Sequence, residues 1–259
     1  MRRKIIAGNW KMNKLPNEAI DFIQELTPLV KGADTEVILF VPYTNLFYSL
    51  MHAQGTNIKI GAQNMHWEDS GTFTGEISGP MLKAIGVEYV IVGHSDRRLL
   101  FGETSEITNK KLKAALRNEL KPILCIGETR EERDSNKTEE VVSEQLKVGL
   151  EGLSQEEVAK VIFAYEPVWA ISSGAAAQKA GENRTASKED ANDAIKMIRG
   201  KIAELYGNEV ADKSIIQYGG SMKSSNAKEL NNMSDIDGGL VGGASLEAEE
   251  FSKIVNYNK

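Results

Sequence analysis

Short runs of apolar residues alternate with longer stretches of helical period along the whole chain. That alternation marks repeated strand–helix units built around a parallel sheet. Eight such pairs can be read, with strands predicted at residues 4–8, 36–41, 58–62, 89–92, 122–125, 161–164, 214–217 and 239–241. Between them apolar positions recur every three to four residues. Ala19, Phe22, Ile23 and Leu26 share one face of a helix over 18–30, and Val142, Leu146 and Leu150 do so over 140–150. A third helix, Lys188–Tyr206, places Ala191, Ile195, Ile198, Ile202 and Leu205 in register, with Ser187 as its N-cap and Asp190 at the capping-box position.

Eight strand–helix units form either a closed barrel or a large open sheet. An open sheet of this type carries a phosphate-binding glycine fingerprint after its first strand, and GNWKMNK is not one. The expectation is therefore an α/β fold, a (β/α)8 barrel. With no Pro/Ser-rich linker and no shift in composition, one domain over 1–259 is expected.

Composition narrows the function classes. The chain is 41% hydrophobic and 26% charged, which argues against disorder. A formal net charge of -6 disfavours a nucleic-acid binder while leaving room for a local basic pocket that takes a small anion. Cys125 is the one cysteine, so no intrachain disulfide forms; it is expected to be a buried thiol in a reducing compartment. The start, MRRKIIAGNWKMN, is too short in apolar residues for a signal-peptide core, and no run approaches membrane-spanning length. A cytoplasmic protein with no membrane partner is the expectation.

In a (β/α)8 barrel the active site lies at the carboxyl ends of the strands. Asn9 and Lys11 follow the first strand, Gly93-His94-Ser95 the fourth, and Glu166 the sixth. Pro167 stops the sixth strand, and residues 172–183, SSGAAAQKAGEN, are small and polar, as expected of an exposed segment. Two glycine-rich turns follow the last strands, Tyr218-Gly219-Gly220-Ser221 and Val241-Gly242-Gly243-Ala244-Ser245. Backbone N–H groups in such turns form an anion cradle, which implies a phosphorylated substrate. Lys11 adds a positive charge, Glu166 a base and His94 a donor, a set suited to proton abstraction next to a carbonyl without a metal or redox centre. Taken singly, each residue has a plainer reading: Glu166 as a surface acid, His94 as a structural donor, Lys11 as a solvated cation, the glycine pairs as simple turns. His52 and His66 are read as non-catalytic. Metal binding is not expected, for there is no HExxH, no cysteine pair and no clustered acidic loop.

The segments AGNWKMN, GAQNMHWEDSG, VGHSDRR, FGET, CIGET, AYEPVWAI, QYGGSM and DGGLVGGASL, in this order, resemble the triosephosphate isomerase family over essentially the entire chain. That family is itself the reference case for pKa tuning in a barrel enzyme, so its mechanism is carried over by resemblance. It implies interconversion of dihydroxyacetone phosphate and glyceraldehyde 3-phosphate. Glu166 would remove the substrate proton, neutral His94 would polarise the carbonyl, and Asn9 and Lys11 would complete the catalytic set. Main-chain N–H groups near Ser221, Gly242 and Gly243 would hold the phosphate. Ile171 and Leu240 would wall Glu166 and limit its hydration. No cofactor is implied. The loop over residues 63–76, from Gln63 to Glu76 with Thr74 near its tip, resembles the family's intersubunit loop and implies a homodimer.

Two departures stand out. The family reads AIGTGKTA after the glutamate, whereas this chain reads AISSGAAAQKAGENRTA, which leaves twelve residues, 172–183, where three are expected. Ser172 replaces the glycine whose N–H would meet the phosphate. Loop-closure entropy rises only about 1 kcal/mol for such lengthening, but lid geometry is altered, so reduced turnover and leakage of the intermediate to phosphate elimination are expected. The second departure is Asp96, where the family has glutamate; losing a methylene shortens its reach by about 1.5 Å and is expected to loosen a contact to Lys11. A rival role for Asp96 is to cap the helical turn after Ser95. The leading reading is an isomerase of reduced activity. The alternatives are an engineered barrel scaffold with little activity and, weakest, another proton-transfer enzyme acting on sugar phosphates.

Overall fold

The computed structural model describes residues 2–171 and 186–259. Eight parallel strands close into a barrel in sequence order: β1 (Ile5–Asn9), β2 (Glu36–Val41), β3 (Ile58–Ala62), β4 (Tyr89–Val92), β5 (Lys121–Ile126), β6 (Ile162–Tyr165), β7 (Ile215–Tyr218) and β8 (Gly238–Val241). The ring shuts where β1 pairs with β8, Ile5 against Gly238 and Ala7 against Leu240. This is the expected (β/α)8 architecture.

Strand periodicity divides the apolar residues between two cores. Ile5, Ala7, Ile38, Phe40, Ile91, Ile123, Cys125, Ala164 and Leu240 fill the barrel interior. Their strand neighbours Ile6, Val37, Leu39, Val90, Leu124, Phe163 and Ile216 face the helical sheath, joined by Phe22, Ile23, Leu26, Val142, Leu146, Ile195, Ile198 and Ile202. Cys125 is wholly buried, as expected.

Some boundaries differ from the sequence pattern. β1 runs through Asn9, β6 through Tyr165 and β7 through Tyr218, because parallel ladder bonds continue past the apolar run into the polar strand ends that form the mouth. The helices expected over 18–30 and 140–150 occupy Pro16–Val30 and Thr138–Gly149. Lys188–Tyr206 has the expected bounds, and Ser187 Oγ accepts the Asp190 amide at 3.0 Å in the expected capping box. Leu205 is a correction: it is 45% exposed, and in the same last turn Ala203 and Tyr206 pack against the core in its place. Among the described residues no helix is long and apolar enough to cross a membrane.

Candidate active site

The carboxyl-end mouth holds a recess lined by residues from five strand ends: Asn9 and Lys11, His94, Glu166 with Ile171, and the glycine turns after β7 and β8. Each side chain is fixed by its backbone. Asn9 is 5% exposed, and its Oδ1 accepts the Lys11 amide at 3.0 Å. Lys11 has a φ of 53°, a left-handed conformation uncommon for lysine, and Gln63 Nε2 donates to its carbonyl at 2.8 Å. A bent, clamped backbone thus aims the Lys11 stem across the mouth.

His94 is the N-cap of the helix Ser95–Phe101. Its Nδ1 accepts the Asp96 amide at 3.1 Å, which places the ring proton of a neutral imidazole on Nε2. Nε2 lies 2.9 Å from Glu166 Oε1, and Glu166 Oε2 accepts the Ser95 amide at 2.9 Å. Burial pushes the Glu166 carboxyl up, but the imidazole, the Ser95 N–H and the Lys11 ammonium together outweigh it and hold the group below the ordinary carboxylate value. Glu166 is therefore held as a carboxylate while only 3% exposed.

Two glycines permit this placement. A Cβ on Gly127 would stand 1.9 Å from the Glu166 carbonyl oxygen, and one on Gly219 would stand 2.8 Å from Glu166 Cγ. The Glu166 amide donates to Ile126 O and the Gly219 amide to Tyr165 O, so the ends of β5, β6 and β7 converge on the base. Just beyond, the fully buried Glu128 receives Trp169 Nε1 at 2.8 Å and Tyr165 OH at 3.1 Å, anchoring the 3-10 turn Val168–Ala170. Ile171 and Leu240 line the recess as apolar walls.

Ser221, Gly242 and Gly243 gather at its far side, Gly243 opening the 3-10 turn Gly243–Leu246. All the expected residues converge except Ser172, which lies outside the described residues together with the rest of 172–183. Asp96 is a correction as a helix cap. Its Oδ2 stands 3.1 Å from Lys11 Nζ. The pair is poorly aligned for a hydrogen bond, and Lys11 Nζ and Asp96 Oδ1 find no hydrogen-bond partner among the described residues. The cap of the helix is His94, with Asp96 inside the first turn.

Sequence reading missed the Ser95 amide, Gly127, Gly219 as a close-approach position, and Glu128. The glycine of CIGET, directly after a predicted strand, was the available signal for Gly127. A backbone amide such as that of Ser95 gives none.

Fold and site together define a (β/α)8-barrel protein whose carboxyl-end mouth brings a buried glutamate, a histidine and a lysine together beside two glycine-rich turns. A family model described as triosephosphate isomerase matches residues 4–258. The chain is 53% identical over 260 residues to the triosephosphate isomerase of Acetivibrio thermocellus, covering 100% of both. It is also 53% identical over 257 residues to that of Caldanaerobacter subterraneus subsp. tengcongensis, covering 99% of this chain and 100% of the relative. To that of Clostridium tetani it is 51% identical, covering 99% and 97%. The chain belongs to the triosephosphate isomerase family, a family of isomerases.

Proposed function

We propose that this protein interconverts dihydroxyacetone phosphate and D-glyceraldehyde 3-phosphate, with Glu166 as the base and His94, Lys11 and Asn9 as the electrophilic set. The observation that carries this is the 2.9 Å approach of His94 Nε2 to Glu166 Oε1 beside Lys11 and the glycine cradle. Glu166 removes a proton from the carbon next to the substrate carbonyl, and the electron pair moves to the oxygen as an enediolate. Charge builds on that oxygen, where the His94 Nε2–H, the Lys11 ammonium and the Asn9 amide stabilise it. His94 gives its Nε2 proton to the former carbonyl oxygen and takes the proton of the neighbouring hydroxyl, and Glu166 returns its proton to the former carbonyl carbon as the new carbonyl forms on the neighbouring one, which completes the exchange of aldehyde and ketone. Substrate entry requires the His94 donor to leave Glu166 for the substrate oxygen. Backbone N–H groups around Ser221, Gly242 and Gly243 receive the phosphate.

Turnover below that of family members, with inorganic phosphate released from the enediolate, is proposed from the sequence of 172–183 alone. The inactive-scaffold alternative is not favoured, given the family match over nearly the full chain. The direct test is isomerisation of glyceraldehyde 3-phosphate beside an identically prepared Glu166→Gln protein, with phosphate release followed in parallel. Activity at the level of that control refutes the isomerase reading, and clean turnover without phosphate release refutes the leakage.

A homodimer is proposed as the working form. Met12, Tyr43 and Phe101 line a groove next to the site, and Phe73 and Thr74 stand exposed on the 63–76 loop, stiffened by His66 stacked on Trp67 at 4.2 Å. Exposed apolar surface of this kind marks an interface. Sedimentation equilibrium giving a monomer at micromolar concentration overturns it. A cytoplasmic location fits the lone buried thiol.

A further inference from the structure

The charges walling the recess do not favour a dianion. Lys11 lines the recess with Asp96 behind it at 3.1 Å, and Glu166 lines it with a negative charge, so Lys11 and Glu166 leave the walls with no net positive charge on a chain of formal charge -6. A phosphate monoester carries nearly two negative charges at neutral pH. Lys223 is the other cation lining the recess among the described residues.

Its position is built. The Lys223 amide donates to Asn226 Oδ1 at 2.8 Å, and Asn226 Nδ2 donates to Ser221 O at 3.1 Å, so one side chain clamps the backbone from the phosphate turn to Lys223. On the other side Glu250, the nearby acid, accepts the Ser224 amide at 2.8 Å and Ser224 Oγ at 2.9 Å. Lys223 itself is exposed and enters no ion pair among the described residues. A fixed backbone thus presents an uncommitted ammonium two residues past Ser221.

We propose that Lys223 is a specificity-determining residue that draws the substrate's phosphate dianion to the cradle and thereby separates phosphorylated from unphosphorylated trioses. This rests on the triose phosphate reading above. With Lys223 the lining charges are net positive; without it Lys11 and Glu166 cancel. The effect falls on capture of the phosphate and leaves proton transfer at Glu166 unchanged, and it is screened by salt because the ammonium is exposed.

The test compares Lys223→Gln, Lys223→Arg and Lys228→Gln, the last making the same charge change on the helix Ser224–Asn231 away from the recess. Three quantities are measured at about 0.01 and 0.5 M ionic strength: kcat/KM for glyceraldehyde 3-phosphate, kcat/KM for D-glyceraldehyde, and calorimetric binding of glycerol 3-phosphate, which cannot isomerise. Lys223→Gln is expected to lower kcat/KM for the phosphorylated substrate and glycerol 3-phosphate affinity about five- to tenfold at low salt and less than about twofold at high salt. Lys223→Arg restores both, and D-glyceraldehyde turnover does not change. Equal behaviour of Lys223→Gln and Lys228→Gln overturns the proposal, as does an equal loss with D-glyceraldehyde. Should no variant isomerise, the function reading fails while glycerol 3-phosphate binding still decides the role of Lys223.

Discussion

His94 Nε2 and Glu166 Oε1 meet at 2.9 Å although β4 and β6, which carry them, are separated by β5. The barrel rather than the local chain creates this pair, and it sets the protonation logic: Nδ1 is occupied by the Asp96 amide, so Nε2 is the donor that faces the base. Glu166→Gln keeps the side-chain volume and removes the base. Isomerisation is expected to fall about 10³-fold, within the range for loss of a general base, with KM changed little. Steady-state kinetics check this; retention of a tenth of the activity removes Glu166 from the role of base.

Gly219 controls where that base sits. An alanine Cβ there would press on Glu166 Cγ at 2.8 Å and Tyr165 O at 3.1 Å. The glutamate stem can yield, so Gly219→Ala is expected to fold while displacing the carboxylate, lowering kcat about 10²-fold. Gly127→Ala puts its methyl 1.9 Å from the Glu166 carbonyl oxygen, a backbone atom that cannot turn aside as a flexible side chain would, and is expected to cost several kcal/mol in urea unfolding. A Gly219→Ala enzyme with unchanged kcat counts against positional control by this glycine.

The barrel was legible because buried parallel strands are unbroken apolar runs and their helices keep one apolar face. Reading stopped a residue early at Asn9, Tyr165 and Tyr218, where strand pairing continues into polar mouth positions that carry no apolar signal. Leu205 keeps helical register yet is exposed while Ala203 and Tyr206 beside it pack against the core, a distinction only tertiary packing makes. Lys11, His94 and Glu166 stood out as strand-end polar residues. Glu128 did not, since its partners Tyr165 and Trp169 are 37 and 41 residues away in the chain.

Glu128 supplies a pH prediction. Burial pushes its carboxyl up, and hydrogen bonds from Trp169 and Tyr165 recover only part of that. With the folded value above the unfolded one, its contribution to stability is full below the unfolded value and is lost as pH rises through the folded value. Glu128→Gln cannot ionise and escapes this loss. Its urea midpoint relative to wild type is expected to rise as pH is raised from the ordinary carboxylate range toward neutrality; a constant difference between the two proteins contradicts the raised value.

Arg199 tests the opposite end of the barrel. Its guanidinium donates to Ala211 O at 2.7 Å, Ser214 O at 2.8 Å, Asp235 O at 3.0 Å and Asp237 Oδ2 at 2.8 Å, joining the helix Lys188–Tyr206 to the residues that open β7 and β8. Asp237, 1% exposed, also accepts the Ile216 amide and Arg2 Nε. Arg199→Met removes the guanidinium donor from three carbonyls and leaves this buried carboxylate with a single cation, so a loss of about 3–5 kcal/mol is expected. Arg199→Lys recovers only part, because an ammonium cannot reproduce the planar fork that reaches four acceptors. Both variants are expected to retain wild-type kcat wherever they remain folded, since the network lies at the amino ends of the strands and touches nothing in the mouth. Urea unfolding gives the first quantity and kinetics the second; a large fall in kcat without loss of stability argues against a purely structural role.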